Sequence, residues 1–261
     1  MFRLQLVKDY LKHQFKGKSR HGVHSPFVYH LVDQVIYNSK ANNAYQDIEK
    51  LRSELFHDKR TIRITDLGAG SLVNNNKLRK VSVMARSSLK PPFLAQLIYR
   101  LAKNQKPENI IELGTCLGTT TAYLAKAAPK AKVISIEGCP ETALIAAENL
   151  KKLNIHNVDL QVGDFDELLP EILKDISTVD FIFIDGNHRK NSTLSYFYSC
   201  LPKVTEDSLM IFDDIYWSEG MKEAWEEIKA HPEVTVTVDL FRIGLVYFKK
   251  TQAKENFRIR L

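Results

Sequence analysis

The chain has little cysteine, and the three it carries, Cys116, Cys139 and Cys200, lack the spacing of a metal-ligand set. An odd count without a paired pattern also argues against a disulfide framework. Glycine and proline are sparse, 11 and 9 in 261 residues, and with 44% apolar and 26% charged residues this describes a globular chain able to bury one large core. No apolar run approaches the roughly 20 residues needed to span a bilayer. The opening MFRLQLVKDYLKHQFKGK has no apolar stretch followed by a small-residue cleavage site, so the protein is expected in the cytoplasm without membrane attachment. Acidic charge is outnumbered: 37 Lys and Arg against 31 Asp and Glu give +6, concentrated in KHQFKGKSRH, DKRTIR and KLRKVSVMARSSLK. Such clusters either bind a polyanion or are solvated helix surface, and no aromatic-interleaved nucleic-acid motif accompanies them.

What is present is sharpest at Ile110 to Gly118, where a short apolar strand runs into a turn with two glycines and then into a helix-forming run, Thr119 to Ala128. A strand, a tight turn and a helix N-terminus form the standard cradle for a nucleotide-like ligand. Gly114 and Gly118 are expected to let backbone approach that ligand, with Thr115 between them. Cys116 reads as a small residue packed beneath it. The next strand, Lys132 to Glu137, ends in a carboxylate roughly 20 residues after the turn, the spacing that puts Glu137, followed by Gly138, on a ribose diol. Glu112, ahead of the glycines, suits a ligand carrying an amine or sulfonium better than one carrying phosphate.

After residue 105, strands near 109–113, 132–137, 158–163, 180–185 and 208–213 alternate with helical patterns, which predicts a parallel, doubly wound α/β sheet. The tail VTVTVDLFRIGLVYFKK holds two β-rich runs with no helix between them, as a hairpin requires. Before residue 105, Phe2 to Phe15, Pro26 to Tyr37 and Tyr45 to Phe56 read as helices. The pattern divides the chain into a helical cap at 1–105, a ligand-binding domain at 106–250 and a tail at 251–261. Arg20 to Phe27 reads either as a lid carrying His21 and His24 or as a helix entry with Ser25 as N-cap and Pro26 in the first turn. Thr61 to Ser71 mimics a strand and glycine turn, but no second strand ending in a carboxylate follows it, so it reads as a decoy.

The motifs IELGTCLGTTT, ISIEG, VGDF, FIFIDGNH and MIFDD fall in order between Leu89 and Lys250 and resemble a class I S-adenosylmethionine-dependent methyltransferase of the catechol and caffeoyl-CoA O-methyltransferase type. The resemblance implies a Rossmann-like seven-stranded sheet, order 3-2-1-4-5-7-6, with the last strand pair antiparallel. It implies S-adenosylmethionine held by Glu112, Gly114, Thr115, Gly118, Glu137, Gly138, Asp164, Phe165 and Asp185. Asp164 has an equal reading as the N-cap of the next helix, with Glu167 completing a capping box. Asp185, Asp213 and Asp214 correspond to the Mg2+ ligands of catechol-type enzymes, with Asp at 214 where those carry Asn. Three converging carboxylates call for a divalent cation; the other reading is that Asp213 or Asp214 caps a helix. His188 stands where those enzymes carry a lysine, and with Asp185 it is the catalytic candidate, a base for a hydroxyl proton. Ser88, Lys90 and the helix at 93–103 are expected near the methionine end of the cofactor, and Trp217 at the acceptor. The expected function is O-methylation of a small hydroxylated acceptor by direct in-line transfer. A nucleic-acid methyltransferase such as one acting on tRNA, and a non-catalytic binding protein keeping the fold, stay open, as does a homodimer.

Overall fold

A computed structural model describes residues 2–65 and 78–261. Its centre is an eight-stranded sheet of β3 (Asn109–Leu113), β4 (Lys132–Glu137), β5 (Val158–Val162), β6 (Phe181–Ile184), β7 (Leu209–Asp213), β8 (Val236–Asp239), β9 (Ile243–Tyr247) and β10 (Glu255–Arg258). The spatial order is β10-β8-β9-β7-β6-β3-β4-β5. Only β9 runs against its neighbours, pairing antiparallel with both β7 and β8. The inner strands β6, β7, β8 and β9 are buried at every position; β6 and β7 accordingly read as nearly continuous apolar runs, whereas β8, VTVD, alternates and buries Thr237 and Asp239 as well.

The expected seven-stranded order is present, and an eighth strand extends it. β10 lies in the segment read as a tail and pairs parallel with β8 over Glu255 to Arg258. A parallel neighbour is reached by a connection that crosses back, so no hairpin signal marks it in the sequence. Phe257 and Ile259 are buried in the core, and backbone bonds from Lys18 N to Arg258 O and from Arg260 N to Lys18 O tie the two chain ends together.

Two layers of helices cover the sheet. One face carries α5 (Pro92–Gln105) and α6 (Thr119–Ala127), with α2 (Pro26–His30, continued by a π turn over Leu31–Ile36) and α3 (Ala44–Leu55) sharing the same buried core. α8 (Phe165–Asp175), α9 (Lys190–Cys200) and α10 (Glu219–Ala230) cover the other. The helical segment before residue 105 is therefore continuous with the core of the sheet. α2 begins as expected, with Ser25 Oγ accepting from Val28 N and Pro26 in the first turn. α1 (Phe2–Lys16) is anchored by the buried His13, whose Nε2 lies 3.0 Å from Asp239 Oδ1 at the end of β8.

The segment read as a decoy opens on a real strand, and the two elements after it had no expectation. β1 (Thr61–Arg63) pairs antiparallel with β2 (Leu78–Lys80), and α4 (Val81–Ser88) follows. This small sheet is separate from the main one, and α7 (Pro140–Lys152) packs beside it through Ile145 together with Leu51, Leu55 and Met84. The glycine-containing part of Thr61 to Ser71, residues 66–71, lies outside the described residues. Among the described residues no helix is long and apolar enough to cross a membrane.

Candidate active site

β3 and β6 are neighbours, but the chain leaves β3 toward β4 and returns past it to β6, so the sheet order switches between them. A crevice opens at the carboxyl ends of the strands at such a point. Here it is a cavity of about 400 Å³ reaching from Ser87, Ser88 and Lys90 across Gly114 to Glu137, Asp164, Asp185, His188 and Trp217. That is within the usual range for small-molecule sites.

The floor is built by backbone. Gly114 has φ 102 and a Cβ there would lie 2.1 Å from Asp185 O, so the glycine is required by the join between β3 and β6. Asp185 N donates to Leu113 O across the same join, at 2.8 Å. Gly118, φ 77, meets Ala146 of α7 and does not line the cavity. The expectation that both glycines admit a ligand is corrected: the turn is shaped by strand and helix packing, and only Gly114 faces the cavity.

Glu112 and Thr115 are also not where the sequence suggested. Glu112 is fully buried, and its Oε2 accepts from Thr121 Oγ1 at 2.5 Å and Ser135 Oγ at 2.6 Å. Thr115 Oγ1 shares a hydrogen bond with Ser135 Oγ. Neither residue lines the cavity, because alternate side chains of a strand take opposite faces and Glu112 belongs to the face beneath α6. Burial pushes the Glu112 carboxyl up to about 7.

Glu137 does line the cavity, beside Gly138. Its Oε2 accepts from Cys116 N at 2.8 Å and its Oε1 from Cys139 N at 2.9 Å. The carboxylate thus stitches the glycine turn to the end of β4. Asp164 lines the cavity too and caps α8, its Oδ1 accepting from Asp166 N at 2.8 Å, not from Glu167 N. Phe165 lies across Gly186, where a Cβ would come within 2.4 Å of its ring. Cys116 is inert as a nucleophile, since burial pushes its thiol up to about 12.

At the other end three aspartates meet a lysine. Lys90 Nζ donates to Asp185 Oδ1 at 2.9 Å and forms a second, shorter bond with Asp213 Oδ2. Burial alone would push this ammonium down, but the charges of Asp185, Asp213 and Asp214 outweigh it and hold Lys90 protonated. Asp214 is raised to about 7, first by burial and then by Asp213. Asp185 is also raised, by burial against the pull of Lys90. His188 Nε2 lies 3.7 Å from Asp185 Oδ1, beyond a hydrogen bond, and burial lowers the imidazole below its ordinary 6.5. The ring leans toward Trp217, centroids 6.4 Å apart.

Asp185, His188 and Asp213 each bring one ligand atom within 4.8 Å of the others, but Asp214 is not of that group. Consecutive residues leaving β7 turn apart, and Asp214 takes a left-handed backbone, φ 51. Nor do the remaining residues fit a divalent ion as they stand. The Lys90 ammonium already holds an oxygen of each carboxylate, and a doubly charged ion about 4 Å from it would meet roughly 8 kcal/mol of repulsion at an effective dielectric of about 20. The expected set of Asp185, Asp213 and Asp214 around Mg2+ is therefore not formed.

Lys90 is positioned by residues that no sequence pattern singled out. It stands between the end of α4 and Pro91–Pro92, where a following proline restricts its backbone to extended conformations. Its carbonyl accepts from Arg52 Nη1 at 2.5 Å. Arg52 is buried and paired with Glu49 at 3.0 Å, and Glu49 accepts from Tyr123 Oη at 2.6 Å. A lysine pinned before Pro-Pro was the one sequence clue to this role. Ile64, Thr65, Met84, Thr142, Asn187 and Tyr196 also line the cavity without having been singled out for it. Thr65 and Ile64 come from the segment read as a decoy, brought here by Thr65 N donating to Cys139 Sγ at 3.3 Å.

Residues 111–215, from β3 to the turn after β7, match the family described as a methyltransferase domain. The match covers less than half of the chain. Its relatives include a catechol O-methyltransferase from Niastella koreensis, 28% identical over 48% of this chain and 57% of that one. A human transmembrane O-methyltransferase is 32% identical over 30% of this chain and 28% of that one. The chain thus spans little more than half the length of the first relative and less than a third of the second. Solved structures extend the likeness in fold. An O-methyltransferase from Bacillus cereus in complex with SAH has a TM-score of 0.57 at 19% identity, covering 83% of this chain and 96% of that one. TomG from Streptomyces achromogenes, an O-methyltransferase in complex with SAM, has a TM-score of 0.58 at 17% identity, covering 85% and 94%. This chain shares the fold of those structures, with its strand ends converging on the cavity described above.

Proposed function

We propose that the protein is an S-adenosylmethionine-dependent O-methyltransferase acting on a small hydroxylated acceptor. The observation that carries this reading is one cavity, at the switch point of a methyltransferase sheet, with Glu137 and Asp164 at one end and the Asp185, His188 and Lys90 cluster at the other. Glu137 holds the ribose hydroxyls, Asp164 and Phe165 receive the adenine, and Gly114, Gly138 and Asp185 border the chain that leads to the sulfonium. S-adenosylmethionine supplies an electrophilic methyl group on a positively charged sulfur.

The rest is done by this chain. An acceptor hydroxyl reaches the end of the cavity near Trp217 and gives its proton to the His188 imidazole, which burial keeps neutral and able to accept it. The acceptor oxygen forms a bond to the methyl carbon as the carbon–sulfur bond breaks, sulfur leaves as a neutral thioether, and the proton passes to solvent. No covalent intermediate on the protein is needed, so the gain comes from holding oxygen, carbon and sulfur in line and from the charged groups beside them.

The reading is tested by incubating purified protein with S-adenosylmethionine and a panel of phenols, enols and aliphatic alcohols, following SAH and methylated product by mass spectrometry. Equimolar SAH and methyl ether are expected with at least one phenolic or enolic acceptor. SAH formed only with amine or nucleic-acid acceptors would replace the O-methyl assignment.

A further inference from the structure

Of the lysines and arginines among the described residues, only Lys90 lines the cavity. Its ammonium has three N–H donors, and two are engaged by Asp185 and Asp213. The third has no protein partner among the described residues, and Asp213 Oδ1 beside it is likewise buried without one. A lysine side chain is ordinarily costly to immobilise, because it has many rotamers to lose. Here its backbone is clamped by the Arg52 bond to its carbonyl and by Pro91, and its head by two carboxylates, so the charge stands at one place in every molecule.

We propose that Lys90 is a built-in cation that takes the place of a divalent ion between Asp185 and Asp213, and that the site accepts a molecule presenting one ionisable oxygen instead of a chelating diol. The proposal rests on the methyl-transfer reading for the acceptor but not for the cation. A metal ion offers adjacent open positions and so favours two neighbouring oxygens on the acceptor. An ammonium with one remaining N–H offers a single charge-assisted hydrogen bond. It can steady one phenolate or enolate oxygen as charge develops there. The chemistry needs no exogenous metal.

Manganese titration followed by electron paramagnetic resonance decides the question, because bound Mn2+ loses the sharp signal of the free ion. Full-length wild type is expected to leave the free signal unchanged up to millimolar Mn2+, and EDTA to leave its turnover unchanged. Lys90→Ala frees both carboxylates and is expected to bind one Mn2+, lost again when Asp213→Asn is added. Lys90→Arg keeps the charge and is expected to remain blind to manganese. Binding of one Mn2+ by wild type, loss of turnover in EDTA, or no binding by a Lys90→Ala variant whose circular dichroism is native would each overturn the proposal. S-adenosylmethionine affinity measured on the same samples separates the two readings: its absence removes methyl transfer, while the manganese result still decides the role of Lys90.

Discussion

Gly114 joins two strand ends through the Cβ it lacks. Ala at this position would hold φ 102 and place a methyl 2.1 Å from Asp185 O, so both strain and overlap oppose it. Gly114→Ala is predicted to lose roughly 3 kcal/mol or more of stability in urea denaturation, and an unchanged midpoint would show that the join is not rigid. Glu112 makes a different prediction. Its folded carboxyl sits near 7 against an ordinary 4.5, because burial opposes its charge. Between those values the folded protein keeps a proton that the unfolded chain has lost, so stability falls as pH rises, by up to roughly 3 kcal/mol once pH passes 7. Glu112→Gln should flatten this dependence relative to wild type when melting is compared at pH 5 and pH 8; parallel curves would reject the assignment. His188, lowered by burial, predicts an acid limb in kcat with its midpoint below 6.5, activity rising with pH as the ring loses its proton. His188→Ala should lower kcat about 100-fold or more and abolish that limb while sparing S-adenosylmethionine binding. A limb near 7 that survives the substitution would transfer the base to Asp214, whose carboxyl lies at about 7.

Elements that write their own period were legible. β3 and β4 match their expected bounds residue for residue, β5 and β7 differ by one residue at one end, and β6 by one residue at each end, since each is a short β-patterned run between a helix and a turn. β10 was not legible. Its exposed residues Glu255 and Asn256 give no apolar run, and only Phe257 and Ile259 reveal that the segment packs. Its contribution is measurable: Phe257→Ala removes a side chain only 3% exposed and is predicted to cost about 3 to 5 kcal/mol. A cost below about 1 kcal/mol would mean the strand adds pairing without core. α3 was expected as a cap helix, yet through Arg52 it reaches the backbone of Lys90. No periodicity reveals that link, because a buried arginine on a helix reads as an exposed one until its partners are known.

At the scale of the whole molecule, the strand ends bring residues from across the chain into one cavity, and spacing predicted that convergence better than it predicted side-chain direction. Glu137, Asp164 and Asp185 line the cavity as their positions at strand ends suggested. Glu112, Thr115 and Gly118 do not, because a motif gives order along the chain but not which face of a strand or turn a residue occupies. The acidic cluster at Asp185, Asp213 and Asp214 was visible as excess charge. Its compensation by Lys90, 95 residues before Asp185, depends on contacts that only the folded chain makes. The account as a whole stands on Glu137 marking a cofactor site. The most direct measurement is isothermal titration calorimetry of S-adenosylmethionine into wild type and Glu137→Ala, with melting curves confirming that both are folded. One site on wild type, weakened about tenfold or more in the variant, is the predicted result, since one charge-assisted hydrogen bond contributes about 1.5 to 3 kcal/mol. Equal affinity in a folded Glu137→Ala, or no binding to wild type, would contradict it.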